Sequence, residues 1–297
     1  MPKAHVNDIE IEYDTFGDSS SKPLLLVMGL GAQMIAWLEV LCEYVANQGF
    51  YVIRFDNRDV GLSTKFEEKG VPDWKELIGA LFKPIELGKE INTPYTLEDM
   101  ADDAIGVLDH LNIDKAHIWG ASMGGMIAQI IAYRHPDRVL SLASIMSTTN
   151  NPDVKRASQE LLEDLFSPYP TEREEYIKES VRRGRLTYGT YPYNEEQARE
   201  LAAVAYDRSF SPHGTIRQLA AVVASGNRKA KLASIKVPTI VVHGREDPLV
   251  PVELGIDTAE AIPGAELLII EGMGHSFPLE VAPQIIEALL ANTAKAD

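Results

Sequence analysis

Ser122, Asp247 and His275 are the residues whose types and surroundings suit chemistry at a carbonyl carbon. Ser122 lies in Gly120-Ala121-Ser122-Met123-Gly124-Gly125, after the run Ala116-His117-Ile118-Trp119 and before the helical apolar pattern of residues 126–131. Strand, tight turn and helix around Gly-x-Ser-x-Gly read as a nucleophile elbow, with the serine hydroxyl pushed up from a sheet. Gly120 and Gly124 leave room around a sharply turned serine, and Gly125 is expected to keep the following helix close to the strand. That helix begins at the serine, so its unpaired N–H groups face any anion formed there.

The other two residues follow apolar strands late in the chain, and in parallel sheets function gathers at the carboxyl ends of strands. Residues 239–243 lead into Gly244-Arg245-Glu246-Asp247-Pro248, and residues 266–270 lead towards Gly272-Met273-Gly274-His275-Ser276. A serine hydroxyl is a weak nucleophile near neutrality and needs a base within hydrogen-bond reach, which imidazole supplies. Asp247 would hold the histidine in one tautomer and stabilise the imidazolium. The N–H groups of Met123, next to the serine, and Leu30, in the glycine loop Gly29-Leu30-Gly31, are the candidate donors to an oxyanion. The competing readings are structural: Asp247 as a helix N-cap before Pro248, and His275 as a loop histidine. Glu246 is the rival acid, pointing away because neighbouring residues alternate in direction.

The elements needed to position these groups are present in order. Residues 6–17 read as an antiparallel pair turning at Asn7-Asp8. Residues 24–28, 51–55, 116–119 and 139–145 are continuous apolar runs, as strands covered on both faces are. Helical patterns alternate with them: residues 37–48, closed by Gly49, and the helix after the capping box Thr96-Leu97-Glu98-Asp99. Residues 66–94 form a long connection with a helix-like stretch at 74–82, expected to belong to a lid or entrance. From about residue 150 to 231 strands vanish and charged helical segments punctuated by prolines take over, an all-α insertion. A helix at 252–261, a last strand at 266–270 and a closing helix at 281–290 complete the alternation of a parallel α/β sheet.

The chain has 297 residues, enough for one large domain with an insertion, and a formal net charge of −16. That acidity disfavours nucleic acid and anionic membrane as partners. No apolar run approaches the ~20 residues of a membrane span, and no signal region follows the first residues, so a cytoplasmic location is expected. The single cysteine, Cys42, excludes an intrachain disulfide and reads as a buried thiol. His5, His110, His117, His135, His213 and His243 have no metal-ligand spacing, and Gly29-Leu30-Gly31 lacks the third glycine of a dinucleotide fingerprint, so neither metal nor cofactor is expected. Asp56 and Arg58, at a strand end, read as an internal ion pair bracing loops beneath the site.

With Ser122, Asp247 and His275 in that order, the chain resembles an α/β-hydrolase over its full length. Met28 stands where that family's oxyanion loop usually has histidine, and Asp56, Arg58, Gly61 and Ser63 match an Asp-x-Arg-Gly-x-Gly-x-Ser stretch, with Asp59 in place of its first glycine. These variants, with Gly272-Met273-Gly274-His275, are similar to the aclacinomycin methylesterase group, whose members cleave methyl esters. The resemblance implies an eight-stranded, mostly parallel sheet flanked by helices. It implies a core of residues 1–148 and 232–297 and an all-α cap, residues 149–231, inserted after the sixth strand. The expected function is hydrolysis of small to medium apolar carboxylic esters through an acyl-serine, with a small-molecule ester and water as partners, in a monomer or homodimer. Two alternatives stay open: a C–C bond hydrolase using the same triad, and a ligand receptor of the same fold with slow turnover. For the C–C hydrolases, Ser276 stands where a tryptophan often follows the histidine. A carboxylate in place of Ser122, which epoxide hydrolases and haloalkane dehalogenases need, is missing.

Overall fold

The computed structural model describes residues 2–82 and 91–296. The chain opens with a hairpin, β1 (Lys3–Val6) and β2 (Ile9–Phe16), turning at Asn7 and Asp8, whose φ of 45° and 63° suit a two-residue turn that follows the strand twist. The parallel strands are β3 (Lys22–Val27), β4 (Phe50–Phe55), β5 (Ala116–Ala121), β6 (Val139–Ile145), β7 (Thr239–Gly244) and β8 (Glu266–Ile270). With the hairpin they build an eight-stranded sheet in the order β1-β2-β4-β3-β5-β6-β7-β8, antiparallel from β1 through β2 to β4 and parallel from β4 to β8.

Eleven helices are described: α1 (Glu39–Ala46), α2 (Trp74–Phe82), α3 (Leu97–His110), α4 (Met123–Arg134), α5 (Gln159–Phe166), α6 (Arg173–Thr187), α7 (Glu195–Arg208), α8 (Pro212–Ser225), α9 (Lys229–Leu232), α10 (Val252–Ala261) and α11 (Ala282–Thr293). The continuous apolar strands have their cause in these helices. One face of the sheet buries Leu25, Ile53 and Ile118 against α3 and α4. The other buries Leu24, Trp119 and Val242 against α1 and α11. Every residue of β5 is buried, so the strand that ends at Ser122 is held on both faces. Thr96 caps α3 with the expected box: its hydroxyl accepts from Asp99 N–H while the Asp99 carboxylate accepts from Thr96 N–H.

Two helix boundaries differ from the sequence expectation. The helix expected over 37–48 begins only at Glu39, after a 3₁₀ turn at Met34–Ala36. The Trp37 carbonyl is taken by the buried Arg54 guanidinium, at 2.5 Å, and Leu38 is extended, so the helical ladder cannot start earlier. The closing helix runs on to Thr293, where Asn292, buried under the sheet, donates to Leu142 O at 3.1 Å.

Between β6 and β7 the chain is helical. α6 packs on α7, while α5 and α8 both pack on α2. Leu77, Ile78, Leu162 and Leu219 form their shared apolar cluster, with Leu30 and Leu249 at its margin. The connection expected to act as entrance is therefore, in its described part, a helix built into this layer; residues 83–90 lie outside the described residues. Among the described residues no helix is long and apolar enough to cross a membrane.

Candidate active site

Ser122 sits between β5 and α4 with φ 55° and ψ −120°, a backbone conformation that costs a non-glycine residue about 1–3 kcal/mol and persists only where its surroundings over-determine it. They do. Ser122 N–H donates to Ile145 O on β6 at 2.8 Å, its carbonyl accepts from the Ser147 hydroxyl at 2.8 Å, and it accepts again from Gly125 N–H at 2.9 Å. The flanking glycines let backbone touch backbone. A β-carbon on Gly120 would lie 2.2 Å from Gly124 O, and one on Gly124 would lie 2.1 Å from Val27 O at the end of β3. The close approach of helix to strands is thus the work of Gly120 and Gly124. Gly125, expected to serve it, faces mainly the Ser147 side chain, whose Cβ would be 2.5 Å from an added β-carbon.

His275 reaches the serine from the loop after β8, its Nε2 2.9 Å from Ser122 Oγ, and its Nδ1 is 2.7 Å from Asp247 Oδ2. A carboxylate can only accept, so Nδ1 carries the proton and Nε2 is left to accept from the serine hydroxyl. The Asp247 side chain is fully buried and that of His275 is 12% exposed, which keeps water from competing for the link. Asp247 Oδ1 accepts from Leu249 N–H at 2.9 Å and Val250 N–H at 2.8 Å. One carboxylate oxygen thus faces the histidine and the other braces the turn after β7, while the helix N-cap reading does not hold, because α10 starts at Val252 with Pro251 at its N-cap. Glu246 is exposed, turned away from the histidine.

His243, at the end of β7, lies beneath this loop. Its Nε2 donates to Val250 O at 2.7 Å and stands 3.6 Å from Asp247 Oδ2. Burial lowers its pKa below the usual histidine value, against the opposing pull of Asp247, so the neutral ring is favoured.

The glycine loop after β3 lies against the elbow: a β-carbon on Gly29 would be 3.1 Å from Ser122 Cβ and 3.6 Å from its Oγ. Among the described residues neither Leu30 N–H nor Met123 N–H is bonded to a protein acceptor. Met123 is the first residue of α4, where an N–H has no partner within the helix.

The expected Asp56–Arg58 pair is not formed. Arg58 grips Asp103 on α3 with two bonds, of 2.6 and 2.7 Å. Asp56 accepts from Met34 N–H and Leu62 N–H, both at 2.8 Å, and faces Arg208 Nη2 at 2.8 Å in an ion pair without hydrogen-bond alignment. Asp59, with φ 73°, pairs with Arg217 through two bonds of 2.9 and 2.7 Å and accepts from Tyr95 OH. Two of the three pairs thus reach arginines at the end of α7 and within α8, far along the chain, which adjacency in sequence could not indicate.

Sequence reasoning also missed the contacts that the helical layer makes with the site. Residues 187–190, at the end of α6 and just beyond it, lie on the histidine loop: His275 N–H donates to Thr187 O at 2.6 Å, Gly274 N–H to Tyr188 O at 3.1 Å and Thr190 N–H to Gly272 O at 2.8 Å. Gln218 on α8 accepts from Gly31 N–H at 2.8 Å. The available signal was Arg217-Gln218, a polar pair in the otherwise apolar stretch of α8.

Cys42 is buried, and burial pushes its thiol up to about 12, which makes it a poor nucleophile. Among the described residues no group of His, Cys, Asp or Glu could hold a metal ion.

A family profile described as alpha/beta hydrolase fold matches residues 22–281. Rhodomycin D methylesterase DauP of Streptomyces sp. (strain C5) is 28% identical across 98% of this chain and 97% of its own length. A 2-hydroxymuconate semialdehyde hydrolase of Pseudomonas sp. (strain CF600) is 28% identical across 68% of this chain and 70% of its own. In three dimensions the meta-cleavage product hydrolase of Pseudomonas fluorescens IP01 superposes with a TM-score of 0.74, covering 100% of this chain and 98% of the other at 20% identity, a likeness of fold.

Proposed function

Because the chain belongs to the α/β-hydrolase fold family, we propose that it hydrolyses carboxylic esters through an acyl-serine formed on Ser122. The single observation that carries the reading is the continuous path from Ser122 Oγ through His275 Nε2 and Nδ1 to the buried Asp247 Oδ2.

Ser122 Oγ attacks the ester carbonyl as its proton passes to His275 Nε2. The imidazolium so formed keeps its Nδ1–H on Asp247, whose second oxygen is held by two backbone N–H groups, so the ring stays in place as it gains charge. The carbonyl oxygen becomes an oxyanion between Leu30 N–H and Met123 N–H, two donors free to receive it; removing one such donor from a hydrolase costs about 10²–10³-fold in turnover. His275 then protonates the leaving alcohol, the alcohol departs, and the same nitrogen takes a proton from water as that water attacks the acyl-serine. The helical layer, residues 149–231, serves as a cap over this centre, and its apolar cluster with Leu30 and Leu249 favours apolar acyl groups. The methylesterase relative spans nearly the whole chain, which supports ester over other carbonyl substrates.

Carbon–carbon bond hydrolysis is the second reading, favoured by the semialdehyde hydrolase relative, which covers less of the chain. Rates on p-nitrophenyl esters of increasing acyl length, with Ser122→Ala alongside, decide between them. Ester cleavage at about 1–10³ per second that vanishes in Ser122→Ala is the expected result. Cleavage of a vinylogous diketone with no cleavage of any ester would overturn it.

A further inference from the structure

We infer that Gln218, on helix α8 of the cap, is a positioning residue that fixes the glycine loop so that Leu30 N–H faces Ser122. This rests on the reading of Ser122 as nucleophile and of Leu30 N–H as an oxyanion donor.

A two-glycine loop does not hold one shape by itself, since each glycine has more backbone freedom than any other residue. Yet an oxyanion donor contributes only if it is aimed before the charge develops. Gln218 supplies the constraint from outside the loop. Its side chain is fully buried. Its Oε1 accepts from Gly31 N–H at 2.8 Å, next in sequence to Leu30. Its Nε2 donates to Arg58 O at 2.8 Å, and Arg58 is itself gripped by Asp103 on the core helix α3. One amide therefore ties the glycine loop to the sheet's own framework, through a residue that belongs to the cap.

Two further contacts hold α8 in that position. Gly31, at φ 71°, approaches α8 so closely that a β-carbon there would lie 2.8 Å from Thr215 Cγ2. The residue of α8 before Gln218 is Arg217, which donates the two hydrogen bonds to Asp59 described above. Two residues beyond Gly31, Gln33 donates to Ala205 O and Ser209 O at the close of α7, at 2.6 and 2.9 Å. The cap therefore grips the chain at two points just after Leu30, at Gly31 and at Gln33. It is part of the oxyanion apparatus as well as a cover for the substrate.

Gln218→Met keeps the volume and removes both hydrogen bonds. The expected result is a fall in kcat of about 10²-fold with KM changed less than about threefold, the pattern of an interaction made in the transition state. Gln218→Glu, buried and facing the Arg58 carbonyl, is expected to be favoured as the neutral acid, which keeps both contacts. Its activity relative to the native chain then rises as pH is lowered, a signature that a packing role would not give. Asn292→Leu, which removes an equally buried amide on the opposite face of the sheet, controls for lost stability. Hydrogen exchange at the Gly31 amide reads the positioning without turnover: it is expected to quicken in Gln218→Met and not in Asn292→Leu. An unchanged Gly31 exchange rate, a kcat loss matched by Asn292→Leu, or an effect confined to KM would each overturn the proposal. If the native chain cleaves no ester, the reading of ester hydrolysis fails separately, and Gly31 exchange still decides whether Gln218 holds the loop.

Discussion

Gly124→Ala sets two physical effects of opposite sign against each other. Gly124 lies in the first turn of α4, and its φ is not among the positive values. Helix propensity alone therefore predicts that alanine stabilises the protein, by about 1 kcal/mol. The structure predicts the reverse. The new methyl would meet Val27 O at 2.1 Å and Met28 O at 2.8 Å, both backbone atoms. Ordinary non-bonded contact begins near 3.4 Å, so α4 and the end of β3 must separate by about 1 Å. Such overpacking costs typically about 1–3 kcal/mol. The same shift carries Met123 N–H and the glycine loop apart around Ser122, and a 1 Å misplacement of catalytic groups costs about 10²-fold in rate. The assay pairs urea denaturation with kcat on a p-nitrophenyl ester, using Gly79→Ala as reference. Gly79 lies inside α2 with nothing within 4 Å of where its β-carbon would be, so that change shows helix propensity alone, a gain of about 1 kcal/mol. A Gly124→Ala protein as stable as Gly79→Ala, with kcat intact, would refute the close approach and the argument built on it.

Two other perturbations test the surroundings. Arg217→Met strands the fully buried Asp59 carboxylate and is expected to cost about 3–5 kcal/mol, while adding Asp59→Asn restores most of the loss; a single-variant cost below about 1 kcal/mol in urea denaturation would contradict a buried pair. His243 has its pKa lowered mainly by burial, so protonation opposes folding: its contribution is intact above about pH 6.5 and is lost as pH falls from there through the lower folded value. Urea denaturation across that range should show a shallower acid loss in His243→Phe than in the native chain, and equal slopes would contradict the assignment.

Much of the molecule was legible in its sequence because the determining signals are local. The apolar strands, the Thr96 capping box and the turn at Asn7-Asp8 depend on neighbours within a few residues, and they appear where the pattern put them. Ser122, Asp247 and His275 were readable because each follows a strand, and a parallel sheet gathers its strand ends. What was not legible depends on distant partners. The helix after Met34 starts late because Arg54, on a strand, takes the Trp37 carbonyl. Asp56 and Arg58 find partners on two different helices in place of each other. The bonds from Thr187 and Gln218 to the site join segments that share no motif, and only the packing of the helical layer brings them there.

The acyl-serine itself is the most direct test of the central claim. Rapid mixing with an excess of a p-nitrophenyl ester, acid quenching and mass analysis of the digested chain should give a burst of one p-nitrophenol per chain at most, with the acyl group on the peptide that contains Ser122. Ser122→Ala should give neither burst nor adduct. Undiminished turnover in Ser122→Ala, or an acyl group carried on another residue, would contradict the account.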